Sequence, residues 1–178
     1  MGGVSLDAVQ KRPLKAPEKL STTHALAPFD CGVPSLDDWL KRRAGRNEQE
    51  GASRTYVLCV ENQVVGYYSL AAGSLVSAHA PGKVRRNMPD PIPVMILGRL
   101  AIDQGWKGQG LGRGMLRDAV LRVLNAAEIV GVRALLVHAL SEDAKRFYAN
   151  CGFMESLIEP LTLVVTLKDV KAALDLGV

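Results

Sequence analysis

The chain has 178 residues, with 22 Lys plus Arg against 18 Asp plus Glu for a formal net charge of +4 and a pI near 9.1. That length suits one domain of roughly 100–200 residues. A hydrophobic fraction of 48% with 22% charged residues suits a packed core and excludes intrinsic disorder. No apolar run reaches the ~18 residues of a membrane span, so no membrane partner is expected.

Residues 1–13 lack the basic start, apolar run and small-residue cleavage site of a secretory signal. The Met1-Gly2 start does not continue as a myristoylation signal, because Leu6 stands where Ser or Thr is wanted. Cys31, Cys59 and Cys151 are widely spaced without a C-x-x-C pair, and His24, His79 and His138 are equally scattered. That pattern argues against a disulfide framework and a zinc knuckle, so no metal is expected, and a reducing cytoplasm is the simplest location.

After a polar leader (residues 1–15), residues 21–29 are a strand candidate. Ser35 and Asp38 form an S-x-x-D capping box. Leu36, Trp39 and Leu40 supply the stripe of a helix that runs basic through Lys41, Arg42, Arg43 and Arg46 and ends before Gly51. RTYVLCV (54–60) and VVGYYSL (64–70) predict a hairpin turning at residues 61–63. Pro81, Gly82, Pro89, Pro91 and Pro93 make residues 78–93 a loop. VMILGRLAI (94–102) is nearly continuously apolar, the mark of a buried central strand.

Residues 111–129 read as an amphipathic helix and 132–140 (VRALLVHAL) as a second buried strand. Ser141 caps a short helix, with Glu142 and Asp143 favouring its first turn and Gly152 stopping it. Residues 157–167 predict two strand pieces broken at Glu159-Pro160, and residues 168–178 a small helix or peripheral tail. The order predicts one mixed α/β domain around a single sheet, spanning residues 1–178.

Chemistry enters at AIDQGWKGQGLGRGM (101–115), where Gly105, Gly108, Gly110, Gly112 and Gly114 cluster between a buried strand and a helix. Glycines there permit positive φ and close backbone approach. The amides of the first helical turn then converge on an anion, and pyrophosphate is the natural guest. The dinucleotide pattern G-x-G-x-x-G fails because Arg113 occupies its last position, and G-x-x-x-x-G-K-S/T fails because Leu111 follows Gly110. On spacing alone, a tight strand-to-helix connection is the other reading.

Gly108-Gln109-Gly110-Leu111-Gly112, directly after LGRLAID, resembles the acetyl-CoA motif R/Q-x-x-G-x-G/A of the GNAT acetyltransferases, with Gly105 in place of the R/Q residue. SLDDWLKRRA, RTYVLCV, VVGYYSLA, RRNMPDPIPV, GVRALLVHAL and AKRFYANCGF occur in the order of GNAT toxins of type II toxin–antitoxin operons. The similarity spans roughly residues 16–167. It implies a GNAT fold, an α/β (α+β) architecture whose single mixed, mostly antiparallel sheet has splayed central strands flanked by helices. It implies acetyl transfer to the α-amino group of aminoacyl-tRNA, blocking translation. It further implies a homodimer neutralised by a ribbon-helix-helix antitoxin, the complex repressing its own operator DNA.

By the same resemblance, backbone groups of Leu100, Ala101 and Ile102 hold the pantetheine arm of acetyl-CoA. Trp106, Lys107, Gly108, Gln109, Gly110, Leu111, Gly112 and Arg113 wrap its pyrophosphate, with Lys107 and Arg113 adding charge or simply facing solvent. Tyr148 matches the family's catalytic tyrosine. A phenol of pKa ~10 can supply the proton that a departing thiolate, ~8.5 on the cysteine scale, takes up. The plain alternative is that Phe147 and Tyr148 together pack their short helix onto the sheet, a role that suits Phe147. No Glu/Asp/His constellation offers a general base, and His138, alternating within a buried strand, reads as a satisfied core histidine. An α-amine of pKa ~7.7–8.0 needs a base less than a lysine at ~10.4 does, which favours the α-amine acceptor.

Between Lys41 and Arg117 stand 12 basic and 5 acidic residues. Lys41, Arg42 and Arg46, from the first helix, and Lys83, Arg85 and Arg86, from the proline-rich loop, are candidates for contacts to tRNA phosphates, which position without reading bases. Solvated faces are the plain alternative. Rival functions are acetylation of a protein N-terminus, lysine or small amine, and a non-enzymatic module kept for antitoxin and operator binding.

Overall fold

The computed structural model describes residues 13–174, in which seven strands form one sheet in the order β1-β2-β3-β4-β5-β7-β6. They are β1 (Glu18–Lys19), β2 (Arg54–Val60), β3 (Gln63–Leu75), β4 (Ile92–Ile102), β5 (Ala134–His138), β6 (Met154–Glu155) and β7 (Thr162–Thr166). All neighbours pair antiparallel except β4 and β5, which are parallel. The sheet is therefore mixed and mostly antiparallel, as the family resemblance implies. The helices are α1 (Pro34–Trp39), which continues through a π-helical turn (Leu40–Ala44) into α2 (Gly45–Glu50), then α3 (Gly82–Arg85), α4 (Leu111–Ala127), α5 (Glu142–Asn150) and α6 (Leu167–Ala173). No helix among the described residues is long and apolar enough to cross a membrane.

Side chains alternate between the two faces of a strand, and Tyr67 and Tyr68 show what that does here. Both are fully buried, on opposite faces of β3. Tyr68 belongs to the larger core, where Leu97, Leu135 and Val137 meet Met115, Leu116 and Val120 of α4. Its hydroxyl donates to Asp118 Oδ2 at 2.5 Å, and Arg122 Nε donates to the same oxygen at 3.0 Å. Tyr67 packs on the other face against Phe29, Trp39 and Leu40, and its hydroxyl donates to the Leu36 carbonyl at 2.6 Å. Farther along that second face, Val84 of α3 covers Ile92, Val94 and Leu136. Each tyrosine thus ties one layer of helices to the sheet through a polar tip on an apolar body.

Several expected boundaries move. Residues 21–29 form turns, and the first strand lies earlier, at Glu18–Lys19, with Ala25 making only an isolated bridge to Gln63. Local bonds occupy this segment instead: the Ser21 amide donates to His24 Nδ1 at 3.0 Å, and the hydroxyls of Ser21 and Thr23 are 2.8 Å apart. The Ser35 capping box does not form, because Pro34 starts the helix and Val33 stands at its N-cap. Proline's fixed φ suits the first helical position. Asp37 instead accepts from the Cys31 amide at 2.9 Å. The proline-rich loop contains α3, and β4 begins inside it at Ile92. Of the two strand pieces expected within residues 157–167 only the second forms, as β7; residues 157–161 are bends and turn, and β6 lies ahead of the expected range. The leader and tail are described only for residues 13–15 and 168–174, and the Met1-Gly2 start lies outside the described residues.

Tyr68→Phe removes a hydrogen bond to a charged group and keeps the ring. It is expected to lower the unfolding free energy by about 1.5–3 kcal/mol, read as a lower urea midpoint at unchanged slope. A midpoint equal to wild type would mean that packing alone holds α4 to the sheet.

Candidate active site

The site begins where two strands part. β4 and β5 pair from Val94↔Ala134 to Leu97↔Val137 and no farther, while β4 stays paired with β3 as far as Gly66↔Ile102. Gly98 is the extra residue of a bulge in β4 opposite Ser69 and Leu70. A Cβ on Gly98 would lie 3.1 Å from the Ser69 hydroxyl, closer than ordinary packing allows. The Asp103 amide donates to the Val65 carbonyl at 2.8 Å. By alternation, the backbone groups of Ile102 and Leu100 face away from β3 into the gap. Donors and acceptors that a neighbouring strand would normally satisfy are left for a ligand with amides of its own.

At the open end of the gap, the Asp103 carboxylate accepts from the amides of Gly105 at 2.9 Å and Asp30 at 3.0 Å, fixing the turn. Gly108 and Gly110 have φ of +78° and +75°, the left-handed region that favours glycine. Gly110 is the N-cap of the 17-residue α4 and provides no side-chain cap. The first amides of α4 are therefore unclaimed by a cap, beside a cavity of about 360 Å³ lined in part by Trp106, Lys107, Gly108, Gly110, Leu111 and Gly112. Leu100, Ala101 and Ile102 line the same cavity; Gln109 and Arg113 do not. The Arg113 guanidinium turns to the Ala173 carbonyl (3.2 Å) and Cys151 Sγ (3.5 Å), so this exposed side chain braces α6 and leaves the cavity lining to others. Lys107 Nζ donates to the Cys31 carbonyl at 2.6 Å, tying the turn to the segment before α1.

Tyr148 reaches the cavity from α5. The Ser141 hydroxyl caps that helix by accepting from the Ala144 amide at 3.1 Å. The Tyr148 ring meets Phe147 and Phe153 edge-on, at centroid distances of 5.1 and 5.4 Å. It is 7% exposed. Burial pushes its phenol well above the ordinary tyrosine value, so it stays protonated. Its hydroxyl has no hydrogen-bond partner among the described residues. A positioned, protonated and unclaimed donor facing a cavity is equipped to meet a developing negative charge.

Three residues that the sequence reading did not assign to the site also line the cavity. Arg99, beyond the bulge, lies on the second face with its guanidinium 4.1 Å from the Trp39 ring centroid. It has no carboxylate partner among the described residues. Its placement follows from Gly98, since one extra residue in β4 reverses the alternation that the apolar run suggests. Cys31 has its thiol pushed up to about 11, chiefly by burial, which leaves it a poor nucleophile. His138 is exposed at the end of β5, a correction to its reading as a core histidine.

None of the six basic candidates lines this cavity. Lys41, Arg42 and Arg46 border a separate depression, with Arg42 4.0 Å from Asp38 and Arg46 3.0 Å from Glu50. Lys83 pairs with Asp169 at 2.7 Å, while Arg85 and Arg86 are exposed at the end of α3. Both groups stand on helices covering the second face, the one that carries Arg99. The fold also gathers Glu18, His24 and Cys59, with potential ligand atoms within 4.8 Å of one another. There the Ser21 amide faces His24 Nδ1, which directs the Nε2 proton to Glu18 at 2.9 Å and takes the lone pair a metal would need.

Splayed parallel strands, a glycine turn and an uncapped helix terminus together have the geometry that suits an acyl-CoA. Residues 51–155 match the family description "Acetyltransferase (GNAT) domain". The chain is 48% identical over 157 residues to the tRNA-acetylating toxin of Mycobacterium tuberculosis, covering 88% of this chain and 95% of that protein. AtaT complexed with acetyl-methionyl-tRNAfMet superimposes with a TM-score of 0.83 at 32% identity, over 90% of this chain and 98% of AtaT. A tyrosine-to-phenylalanine mutant of AtaT, bound to the C-terminus of the antitoxin AtaR and acetyl-CoA, gives 0.77 at 31% identity, over 89% and 96% of the two chains. The chain belongs to the GNAT acetyltransferases, and it is a homologue of their toxin members.

Gly110→Ala places a Cβ in left-handed backbone, at a cost of about 1–2 kcal/mol. The strain is relieved only by leaving the cradle conformation. Acetyl-CoA affinity measured by calorimetry is expected to fall about tenfold, the equivalent of 1.4 kcal/mol. Unchanged affinity would remove the turn from the binding site.

Proposed function

We propose that this protein is a translation-blocking toxin that transfers acetyl from acetyl-CoA to the α-amino group of aminoacyl-tRNA. The observation that carries this reading is the likeness to a tRNA-acetylating toxin over 95% of that protein's length. The site supports it chemically. The amides of Leu100 and Ile102 and the start of α4 are suited to hold the pantetheine and pyrophosphate of acetyl-CoA, which supplies an activated acyl thioester. Tyr148 donates a proton to the departing sulfur. One AtaT structure with acetyl-CoA is of a tyrosine-to-phenylalanine mutant, in keeping with such a role.

In this reading residues 1–178 form one domain working in the cytoplasm, as a homodimer. A ribbon-helix-helix antitoxin neutralises it, and the pair represses the operator DNA. The acceptor stem arrives over the second face, where Lys41, Arg42, Arg46, Lys83, Arg85 and Arg86 meet phosphates. Incubation with charged tRNAs and labelled acetyl-CoA tests the assignment: label is expected in N-acetyl-aminoacyl-tRNA. Label found only in protein or small amines would overturn it.

Tyr148→Phe is expected to fold and to bind acetyl-CoA normally while turnover drops about 10²–10⁴-fold, the range for a lost general acid; near-normal turnover removes Tyr148 from the chemistry. Reversing charge at Arg85 and Arg86 is expected to weaken tRNA binding most at low salt. It should also flatten the dependence of log affinity on log salt by about 0.7–0.9 for each phosphate that is no longer neutralised. An unchanged tRNA affinity would make both residues ordinary solvated side chains.

A further inference from the structure

A hydrogen-bonded line of three side chains ends in the cavity at a base that the proposed mechanism has not used. His138 is the first residue of β5 beyond the last pair with β4, Leu97↔Val137, so it stands at the vertex of the gap and lines the cavity. Val137 packs on the α4 face and Leu136 on the second face, so alternation places His138 on the second face. Tyr148 approaches from the α4 face. The two residues therefore flank the gap from opposite sides.

The proton on the imidazole is fixed by its neighbours. Thr162, paired with His138 in the β5–β7 register, donates its hydroxyl to Glu159 Oε2 at 2.9 Å. A hydroxyl has one proton, so the same oxygen can only accept from His138 Nδ1, which is 3.0 Å away. The neutral ring then carries its proton on Nδ1 and presents the Nε2 lone pair. Thr162 is buried, which holds the middle of the line in place. The register of β7 brings these residues together, and their spacing in the chain conceals it.

We propose that His138 is the general base of the transfer, with Thr162 and Glu159 as the positioning residues that set its tautomer. The inference rests on the acetyl-transfer reading of the site and holds for any amine acceptor that enters over the second face. As the amine nitrogen bonds to the acetyl carbon, its proton passes to His138 Nε2. The carbon–sulfur bond breaks, and the sulfur takes the Tyr148 proton. Solvent returns the His138 proton to Tyr148, so the protein ends as it began and the products are an amide and a thiol.

The test uses the full-length protein and whichever amine the wild type acetylates. An acceptor other than charged tRNA thus overturns the proposed function without deciding this inference. His138→Gln and His138→Ala are expected to fold, to keep acetyl-CoA affinity within about twofold by calorimetry and to lose about 10²-fold or more in kcat, the range for a general base. Added imidazole is expected to restore part of the His138→Ala rate and to leave wild type unchanged, which a structural role would not produce. Nitrogen NMR of labelled histidine in the ligand-free wild type is expected to show the Nδ1–H tautomer, with Thr162→Val shifting it toward Nε2–H. A kcat for His138→Gln within twofold of wild type, a loss that imidazole cannot rescue, or an Nε2–H tautomer in wild type would each overturn the proposal.

Discussion

Two adjacent parallel strands that stop exchanging hydrogen bonds after their fourth registered pair set the terms for everything else in this molecule. A sheet interior leaves no backbone group unpaired without consequence. β4 remains continuous with β3, so only its other edge opens, and the bulge at Gly98 lies just where the parting begins. The opening therefore has polar walls of backbone, with apolar packing above and below. Such a slot suits a slender chain bearing amides better than a flat aromatic ring.

Keeping the slot open requires both faces of the sheet to be held, because a mobile helix layer would let β4 and β5 collapse together. Tyr67 and Tyr68 do this from successive positions on one strand, the first through the Leu36 carbonyl and the second through Asp118. The Asp118 end is reinforced by Arg122, which also donates to the Pro17 carbonyl at 3.0 Å and lies 4.0 Å from the Tyr56 ring centroid. The short N-terminal strand is thereby drawn into the same brace as the helix that begins the phosphate cradle.

The strands and the cradle were legible because local physics writes them locally. Continuous apolar runs marked β4 and β5, and glycines between strand and helix marked the turn. What escaped depended on contacts distant in the chain. Periodicity places His138 in a buried strand, yet pairing with β4 ends one residue earlier and leaves it exposed on that side. The same apolar run hid Arg99, whose side was changed by one bulged glycine. Pro34, standing next to an attractive Ser35, decided the start of α1 through its fixed φ, a constraint the capping pattern ignored. Charge was the least legible property. A count of basic residues along the chain cannot tell Arg113, bound to the Ala173 carbonyl, from Arg85 in water.

That difference in the use of charge separates two kinds of anion recognition within one domain. The cradle offers backbone amides and a helix terminus, and the cations nearest to it, Lys107 and Arg113, are engaged with the protein's own carbonyls. A pyrophosphate seated there would be held by geometry, with partial charges that cannot swing away. On the second face the cations are long side chains, and two of them, Arg42 and Arg46, pair with exposed carboxylates of their own continuous helix, at 4.0 Å from Asp38 and 3.0 Å from Glu50. Pairs of that kind are weak and exchange readily for another anion. The small co-substrate thus meets a rigid seat of fixed shape. A large polyanion would meet an adaptable surface, with unpaired Arg99 the one guanidinium that links this surface to the reacting end of the slot among the described residues.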